Sequence, residues 1–241
     1  MQLSNILFLD IETVSQFSNF TSADENTQYL WGEKAKFLLK EEEDTPESIY
    51  GRAGIYAEFG KIVCISVGFI NERSGGRELR LKSFASEDEV ELLKDFSNLL
   101  GSHFSGSHHI LCGHNGKEFD FPYIARRMLI NGLKLPSILD TAGKKPWEVG
   151  HLDTMQLWKF GDFKNFTSLK LLAHVFGLPT PKDDIDGSQV GGVFWEDNDL
   201  ARIVTYCEKD VVTLIQVFLK MRGYPILTEE EFNEQKTKLL G

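Results

Sequence analysis

The stretch LFLDIETV (residues 7–14) decides how the rest of the chain is interpreted. The run Ile6–Ile11 is apolar apart from one acid, which is typical of a central strand buried on both faces. Residues two apart in a strand project from one face, so we expect Asp10 and Glu12 to point together at the carboxyl end of this strand. That edge is where α/β sheets usually bind ligands. This spacing alone does not identify a metal site, but a hard cation such as Mg²⁺ or Mn²⁺ relieves the repulsion between adjacent carboxylates.

A second acid lies in GHNGKEFDFPYIARR (residues 113–127), which is predicted to span a strand end, a turn and the start of a helix. Asp120 near a helix N-terminus has two interpretations: it complements the helix dipole, or it joins the first two acids. Pro122 supports a helix start here. Asn115 and Phe119 are candidates to position a terminal nucleotide, because every base offers a face on which an aromatic ring stacks.

A third motif, YCEKD (residues 206–210), places Tyr206 and Asp210 one turn apart on the same helix face. The usual interpretation is a half-buried aromatic beside a solvated acid. The alternative is a hydroxyl that orients an attacking water over a metal cluster. Buried or crowded carboxylates are costly unless they are neutralised, so acids delivered by three distant motifs indicate one shared task. The pattern favours the binding of divalent ions for phosphoryl transfer.

Composition limits the class of protein. The chain has 241 residues, 41% of them hydrophobic and 26% charged, which fits a soluble globular protein with a substantial core. No apolar stretch approaches the roughly 18 residues of a membrane span, and the first residues do not resemble a signal peptide. The cysteines Cys64, Cys112 and Cys207 are odd in number and lie in apolar segments, so we expect reduced, buried thiols and a cytoplasmic protein.

Charge and histidines are informative about partners. The net charge of −10 argues against a protein held on nucleic acid by its overall field. Basic residues are nevertheless concentrated between Arg126 and Lys182, which is compatible with a local, transient grip on a phosphate backbone. Four histidines fall between residues 103 and 114, and we interpret them as a polar loop before a strand in preference to a zinc site.

The segment order predicts an α/β fold, a mixed sheet with helices packed on both faces, in one domain spanning residues 1–241. A polar, helical insertion is expected at about residues 15–58, with a helix starting at Thr45. The sequence does not say where this insertion packs, and a wall or lid of the substrate cleft is one place for it. A later helix is expected to be capped by Ser86, with Glu89 completing a capping box. The predicted strands are 6–11, 61–70, 78–84, 109–112 and 150–153, with a hairpin turn at 71–76, and the further helices are 118–130, 167–176 and 199–222.

The three motifs in order resemble the DEDD superfamily of 3′–5′ exonucleases, which have a ribonuclease H-like (RNase H-like) fold. They are most similar to the proofreading exonuclease domain of family B DNA polymerases and its short, stand-alone bacterial relatives. The stretch DGSQVGGVFWEDNDLARIVTYCEKD (residues 186–210) resembles the stand-alone branch. Tyr206, four residues before the last acid, matches the tyrosine branch, DEDDy. The chain has Thr205 where the histidine branch has its histidine.

The resemblance implies a two-metal-ion mechanism with Mg²⁺ or Mn²⁺ as cofactors. Its metal ligands would be Asp10, Glu12, Asp120 and Asp210, and Tyr206 would orient the nucleophile. The residues near the substrate would be Glu12, Thr13, Asn115 and Phe119. The implied reaction removes nucleotides from the 3′ end of single-stranded DNA.

Two alternatives remain open at this stage. RNA is a possible substrate, because contacts to the 2′-OH do not follow from these motifs. The second alternative is a catalytically silent member of the same fold that binds nucleic acid or a protein. Inactive members usually lose an acid, whereas all four acids are present here. Protein partners are not identified by the sequence, and no membrane is expected.

Overall fold

The computed structural model describes residues 2–73, 76–162, 166–179, 184–228 and 230–232. The first strand, β1 (Ile6–Ser15), extends four residues beyond its predicted end. Its apolar residues are fully buried and alternate between the two faces of the sheet, as the continuous apolar run predicts. β1 is therefore the central strand on which both helical layers pack.

The described strands form one five-stranded sheet in the order β3-β2-β1-β4-β5. β2 (Gly60–Arg73) and β3 (Gly76–Ala85) form an antiparallel hairpin beside β1, and the predicted turn between them falls partly outside the described residues. β4 (Ile110–Gly113) runs parallel to β1, and β5 (Leu152–Asp153) runs parallel to β4. The sheet is mixed, so the carboxyl ends of β1, β4 and β5 meet at one edge.

One face of the sheet is covered by α2 (Glu89–His103) and α3 (Asp120–Ile130). The predicted capping box of α2 is wrong. Asp88 is the N-cap and accepts hydrogen bonds from the amides of Val90 and Glu91. Glu89 turns inward, where its carboxylate accepts the Ile62 amide at 2.7 Å and pairs with Arg127 from α3. A partner far along the chain therefore overrides the local capping signal.

The other face is covered mainly by the long helix α7 (Leu200–Met221), which begins after Asp199 and ends before Gly223, as predicted. Gly68 on β2 allows this helix to come close. A Cβ there would lie 2.9 Å from the Ile215 side chain. Shorter helices complete this layer: α4 (Thr154–Lys159), α5 (Leu169–Val175) and α6 (Val190–Trp195). The predicted mixed sheet with helices on both faces is confirmed.

The segment between β1 and β2 contains α1 (Glu25–Ala35) and a 3₁₀ helix (Tyr50–Ile55). The helix predicted to start at Thr45 is wrong, because Thr45 and Ser48 form only a turn, in which each side chain caps the other's amide. Trp31 is the buried centre of a small cluster within this segment. The 3₁₀ helix packs against the end of β1, where Gly54 lies too close to Val14 for a larger residue. No helix among the described residues is long and apolar enough to cross a membrane.

Candidate active site

β1 brings Asp10 and Glu12 to the same face near its carboxyl end, as the period of a strand requires. Glu12 is only 7% exposed. The pairing of β1 with β2 shifts directly after Glu12, at a β-bulge. Bulges of this kind re-aim side chains next to functional sites. In the register before the bulge, Glu12 lies opposite Cys64 and Asp10 lies opposite Ser66.

Asp120 reaches the same place from the opposite side of the sheet. It is the first residue of α3 and is 3% exposed. Its carboxylate accepts hydrogen bonds from its own amide and from the amide of Ile11, the residue between the two acids of β1. Asp120 therefore lies at the N-terminus of α3, where it complements the helix dipole, and its charge also acts on Asp10.

α7 brings Tyr206 and Asp210 over β1 from the other helical layer. The Tyr206 hydroxyl is hydrogen-bonded to the carboxylate of Asp210. Both Asp10 and Glu12 act electrostatically on this hydroxyl, as Asp210 does. One face of the helix thus projects toward the acids of β1.

The four carboxylates form one electrostatically coupled group. Burial raises the pKa of Asp10 well above its ordinary value, and repulsion from Asp120, Glu12 and Asp210 raises it further. Burial, followed by repulsion from Asp210, likewise raises the pKa of Glu12. Burial raises the pKa of Asp120 to about 7, although two amides donate to its carboxylate. The charged group is therefore strained unless a proton or a cation neutralises it.

The donor set fits a divalent metal ion. The charged groups that raise the pKa of Asp10 and Glu12 are other carboxylates and, for Glu12, a thiol. Carboxylate oxygens are the ligands that Mg²⁺ and Mn²⁺ prefer. Single ligand atoms of Asp10, Glu12 and Cys207 all lie within 4.8 Å of one another. Among the described residues these three could hold a metal ion, and Asp120 and Asp210 act on Asp10 through their charge without belonging to this close group.

Three predicted nucleotide-contacting residues lie on β1 (Thr13) and in the turn before α3 (Asn115 and Phe119). Asn115 has a left-handed backbone with φ 62°, and its side-chain oxygen is buried without a hydrogen-bond partner among the described residues. Phe119 packs against Tyr123 with ring centroids 5.3 Å apart. The hydroxyl of Thr13 is hydrogen-bonded to the same tyrosine. Thr13 and Phe119, which come from different motifs, therefore contact the same tyrosine.

The Asn115 turn is held by residues that sequence reasoning missed. Asp153 at the end of β5 accepts the amides of Asn115 and Lys117 at 3.0 and 3.1 Å. His114 bonds to the Thr154 hydroxyl and the Thr167 carbonyl, both at 2.9 Å. An acid at a strand end just before a helix was the available signal for Asp153.

Residues 55–240 match the model of a family described as a predicted 3′–5′ exonuclease related to the exonuclease domain of PolB. The match includes Asp120, Tyr206 and Asp210, whereas Asp10 and Glu12 precede it. No curated protein is similar enough in sequence to count as a relative.

One solved structure is similar in fold, and a second is similar only weakly. The family B DNA polymerase from the hyperthermophilic archaeon Pyrobaculum calidifontis gives a TM-score of 0.51 at 17% identity, covering 89% of this chain and 24% of the polymerase chain. The RNase domain of the yeast Pop2 protein gives 0.37 at 16% identity, covering 85% of this chain and 76% of that chain. This chain spans about a quarter of the polymerase, and the expected RNase H-like α/β fold is confirmed. Because the family model covers well over half of its residues, the protein belongs to the family of predicted 3′–5′ exonucleases related to the exonuclease domain of PolB.

Proposed function

We propose that the protein is a metal-dependent 3′–5′ exonuclease that removes nucleotides from the 3′ end of single-stranded DNA, with two divalent ions, Mg²⁺ or Mn²⁺. One observation carries the proposal: four acids from three separate elements come close enough to repel one another, with Glu12 and Asp120 buried and Asp10 and Asp210 partly buried. Such a group is costly in a protein that does not bind cations. The four acids are Asp10, Glu12, Asp120 and Asp210.

In this proposal the carboxylates of Asp10, Glu12, Asp120 and Asp210 would hold the ions. When bound, such ions lower the pKa of a water and stabilise negative charge on the leaving 3′ oxygen. The chain itself positions the acids. The register shift after Glu12 leaves Val63 of β2 unpaired next to the acids, the Ile11 amide holds Asp120, and α7 sets Asp210 over the strand.

Tyr206 orients the attacking water. Burial, followed by the charge of Asp210, raises the pKa of its hydroxyl, so the hydroxyl keeps its proton at neutral pH. That proton is donated to the carboxylate of Asp210. The lone pairs of the tyrosine oxygen then accept a hydrogen bond from the water and direct the water's own lone pair at the phosphorus.

The terminal nucleotide is held by the residues beside the acids. Asn115 offers a buried side-chain oxygen that has no partner among the described residues, and such an atom gains most when a ligand supplies a donor. Phe119 supplies an aromatic face, and Thr13 lies near it through Tyr123. Glu12 is assigned a second role as acceptor of the terminal 3′-OH.

We place the activity in a single domain spanning residues 1–241, in which residues 15–58 are a helical insertion. The insertion packs on the end of β1 through its 3₁₀ helix, next to the bulge after Glu12. It is thus suited to form a wall of the cleft. RNA is the alternative substrate, and a catalytically silent member that binds nucleic acid or protein is the alternative function.

One assay tests the proposal. Single-stranded DNA and RNA of the same sequence, labelled at the 5′ end, are incubated with Mg²⁺, Mn²⁺ or EDTA. We expect a ladder of shortening DNA products with either ion and none with EDTA. Asp210→Ala should be inactive, and Asp95→Asn, at an exposed position of α2, should be fully active. Absence of cleavage by the wild type with both ions would favour the silent alternative.

Polarity is tested with modified ends. A 3′-phosphate should slow degradation, because the proposed cleft binds a free 3′-OH. Circular single-stranded DNA should remain intact. Nicking of the circle would identify an endonuclease and contradict the proposed polarity.

A further inference from the structure

Two thiols lie beneath the carboxylates. Cys64 is directly opposite Glu12 in the β1–β2 ladder, and Cys207 follows Tyr206 on the side of α7 that faces the sheet. Both thiols are free and fully buried. They belong to the apolar cluster between β2, α6 and α7, and packing alone would account for them there.

The contacts go beyond packing. The thiol of Cys207 lies 3.6 Å from Oδ2 of Asp10 and 3.5 Å from the carbonyl oxygen of the same residue. It is also hydrogen-bonded to the thiol of Cys64, which in turn acts electrostatically on Glu12. The Cys207 thiol therefore contacts the Asp10 carboxylate directly, whereas Cys64 lies next to Cys207 and opposite Glu12, with its own thiol 3.6 Å from the Ser66 hydroxyl.

This donor set differs in chemistry from four carboxylates. Thiolates select softer ions such as Zn²⁺, whereas carboxylates alone favour Mg²⁺ and Mn²⁺. Zinc is commonly bound by three or four protein ligands in a tetrahedron, with ligand atoms about 3.5 Å apart for bonds of roughly 2.0–2.3 Å. The ligand atoms of Asp10, Glu12 and Cys207 are all within 4.8 Å of one another, so small side-chain movements would complete such a site.

We propose that Cys207 and Cys64, together with Asp10 and Glu12, form a mixed sulfur–oxygen site that binds thiophilic divalent cations, Zn²⁺ or Cd²⁺, in competition with Mg²⁺ or Mn²⁺. The competition rests on the proposed function, because it shares the two acids of β1. Each thiol that becomes a ligand gives its proton to solvent, so binding of the ion forms metal–sulfur bonds and releases protons. Thiophilic ions would hold the enzyme in an inhibited state.

The test measures metal–sulfur bonds and not activity. Reduced wild-type protein is titrated with Cd²⁺ alone, and the thiolate-to-metal charge-transfer absorption is recorded in the ultraviolet. We expect saturation at one equivalent. Cys207→Ser should remove most of the absorption, and Cys64→Ser should reduce it. Cys112→Ser is the matched control, because Cys112 is an equally buried free thiol on β4, and it should keep the full signal.

Competition provides a second readout. Bound Mn²⁺ is followed by electron paramagnetic resonance while Zn²⁺ is added. Zn²⁺ should displace Mn²⁺ from the wild type, and displacement should need about 10–100-fold more Zn²⁺ in Cys207→Ser, the range expected when support for a metal site is removed. If Cys207→Ser does not fold, Cys207→Ala serves in both measurements.

The outcomes separate this inference from the proposed function. A wild type that binds Mn²⁺ but shows no Cd²⁺ charge transfer overturns the mixed site and leaves the exonuclease proposal intact. Full charge transfer in a folded Cys207 variant also overturns it. A wild type that binds neither ion overturns both.

Discussion

The Tyr206 hydroxyl is hydrogen-bonded to the Asp210 carboxylate one turn further along α7, and this bond separates two roles on one helix face. Asp210 is a charge in the coupled acidic group. The Tyr206 hydroxyl is neutral, because burial and the charge of Asp210 raise its pKa and so keep its proton in place. The two residues should therefore fail in different ways when they are replaced.

Tyr206→Phe should keep Mn²⁺ binding and lower kcat by about 10–10³-fold, equivalent to roughly 1.4–4 kcal/mol of transition-state stabilisation. Asp210→Ala should lose turnover and weaken Mn²⁺ binding, since it removes one of the proposed metal ligands. Single-turnover rates and calorimetric Mn²⁺ titrations measure both quantities. Tyr29→Phe, at an exposed tyrosine of α1, is the control. A fully active Tyr206→Phe would show that the hydroxyl only packs.

Mn²⁺ should stabilise the protein, because binding to the native state relieves repulsion among the acids. At a hundred times Kd the gain is about 2.7 kcal/mol, and it appears as a rise in melting temperature. Asp10→Asn should reduce that rise. Identical melting of the EDTA-treated wild type with and without added Mn²⁺ would mean that the acids do not bind metal.

The metal-free protein should lose stability as the pH rises. The native pKa of Asp120, about 7, lies above the ordinary aspartate value, so between these values the native state binds more protons than the unfolded state. The free energy of unfolding in EDTA should therefore fall from about pH 4 to about pH 7. Asp120→Asn removes this titration, so the variant should gain stability relative to the wild type over that range. Urea denaturation at several pH values measures the difference, and a constant difference would contradict the assignment.

The buried pair between Glu89 and Arg127 should be important for stability. Glu89 accepts the Ile62 amide as well as the guanidinium, and Arg127 also donates to the Ala57 carbonyl at 2.9 Å. Glu89→Gln leaves a buried charge without its counterion and should cost about 3–5 kcal/mol in urea denaturation. Glu91→Gln, exposed on the same helix turn, should change stability by less than about 0.5 kcal/mol. Equal effects of the two variants would show that the pair is dispensable.

The sequence predicted the elements whose signals are local and periodic. β1 and α7 follow from a continuous apolar run and from a long apolar stripe closed by Gly223. The convergence of their acids was expected from the cost of crowded carboxylates and from the resemblance to known exonucleases, and not from periodicity. Periodicity places Tyr206 and Asp210 on one face but does not say which strand that face meets.

What the sequence could not predict depends on contacts between distant residues. Glu89 is recruited by Arg127, 38 residues away, so the cap moves to Asp88. Cys64 and Cys207 were expected to be buried, which they are, but only the strand register and the helix position bring them to the acids. Burial alone gave no indication of this neighbour relationship.

The glycine at position 68 has a consequence for how members of this family are recognised. A methyl group there would meet the ends of the Ile215 and Leu81 side chains at 2.9 Å and the Val211 side chain at 3.0 Å, so these side chains must shift to admit a larger residue. The same helix carries Tyr206 and Asp210, so a residue too large for those side chains to accommodate would move both away from the acids of β1. A homologue that retains every acid and the tyrosine can thus be inactive through a side chain that never touches the substrate. The presence of all the motif residues is therefore necessary for activity in a homologue but does not by itself show that the homologue is active.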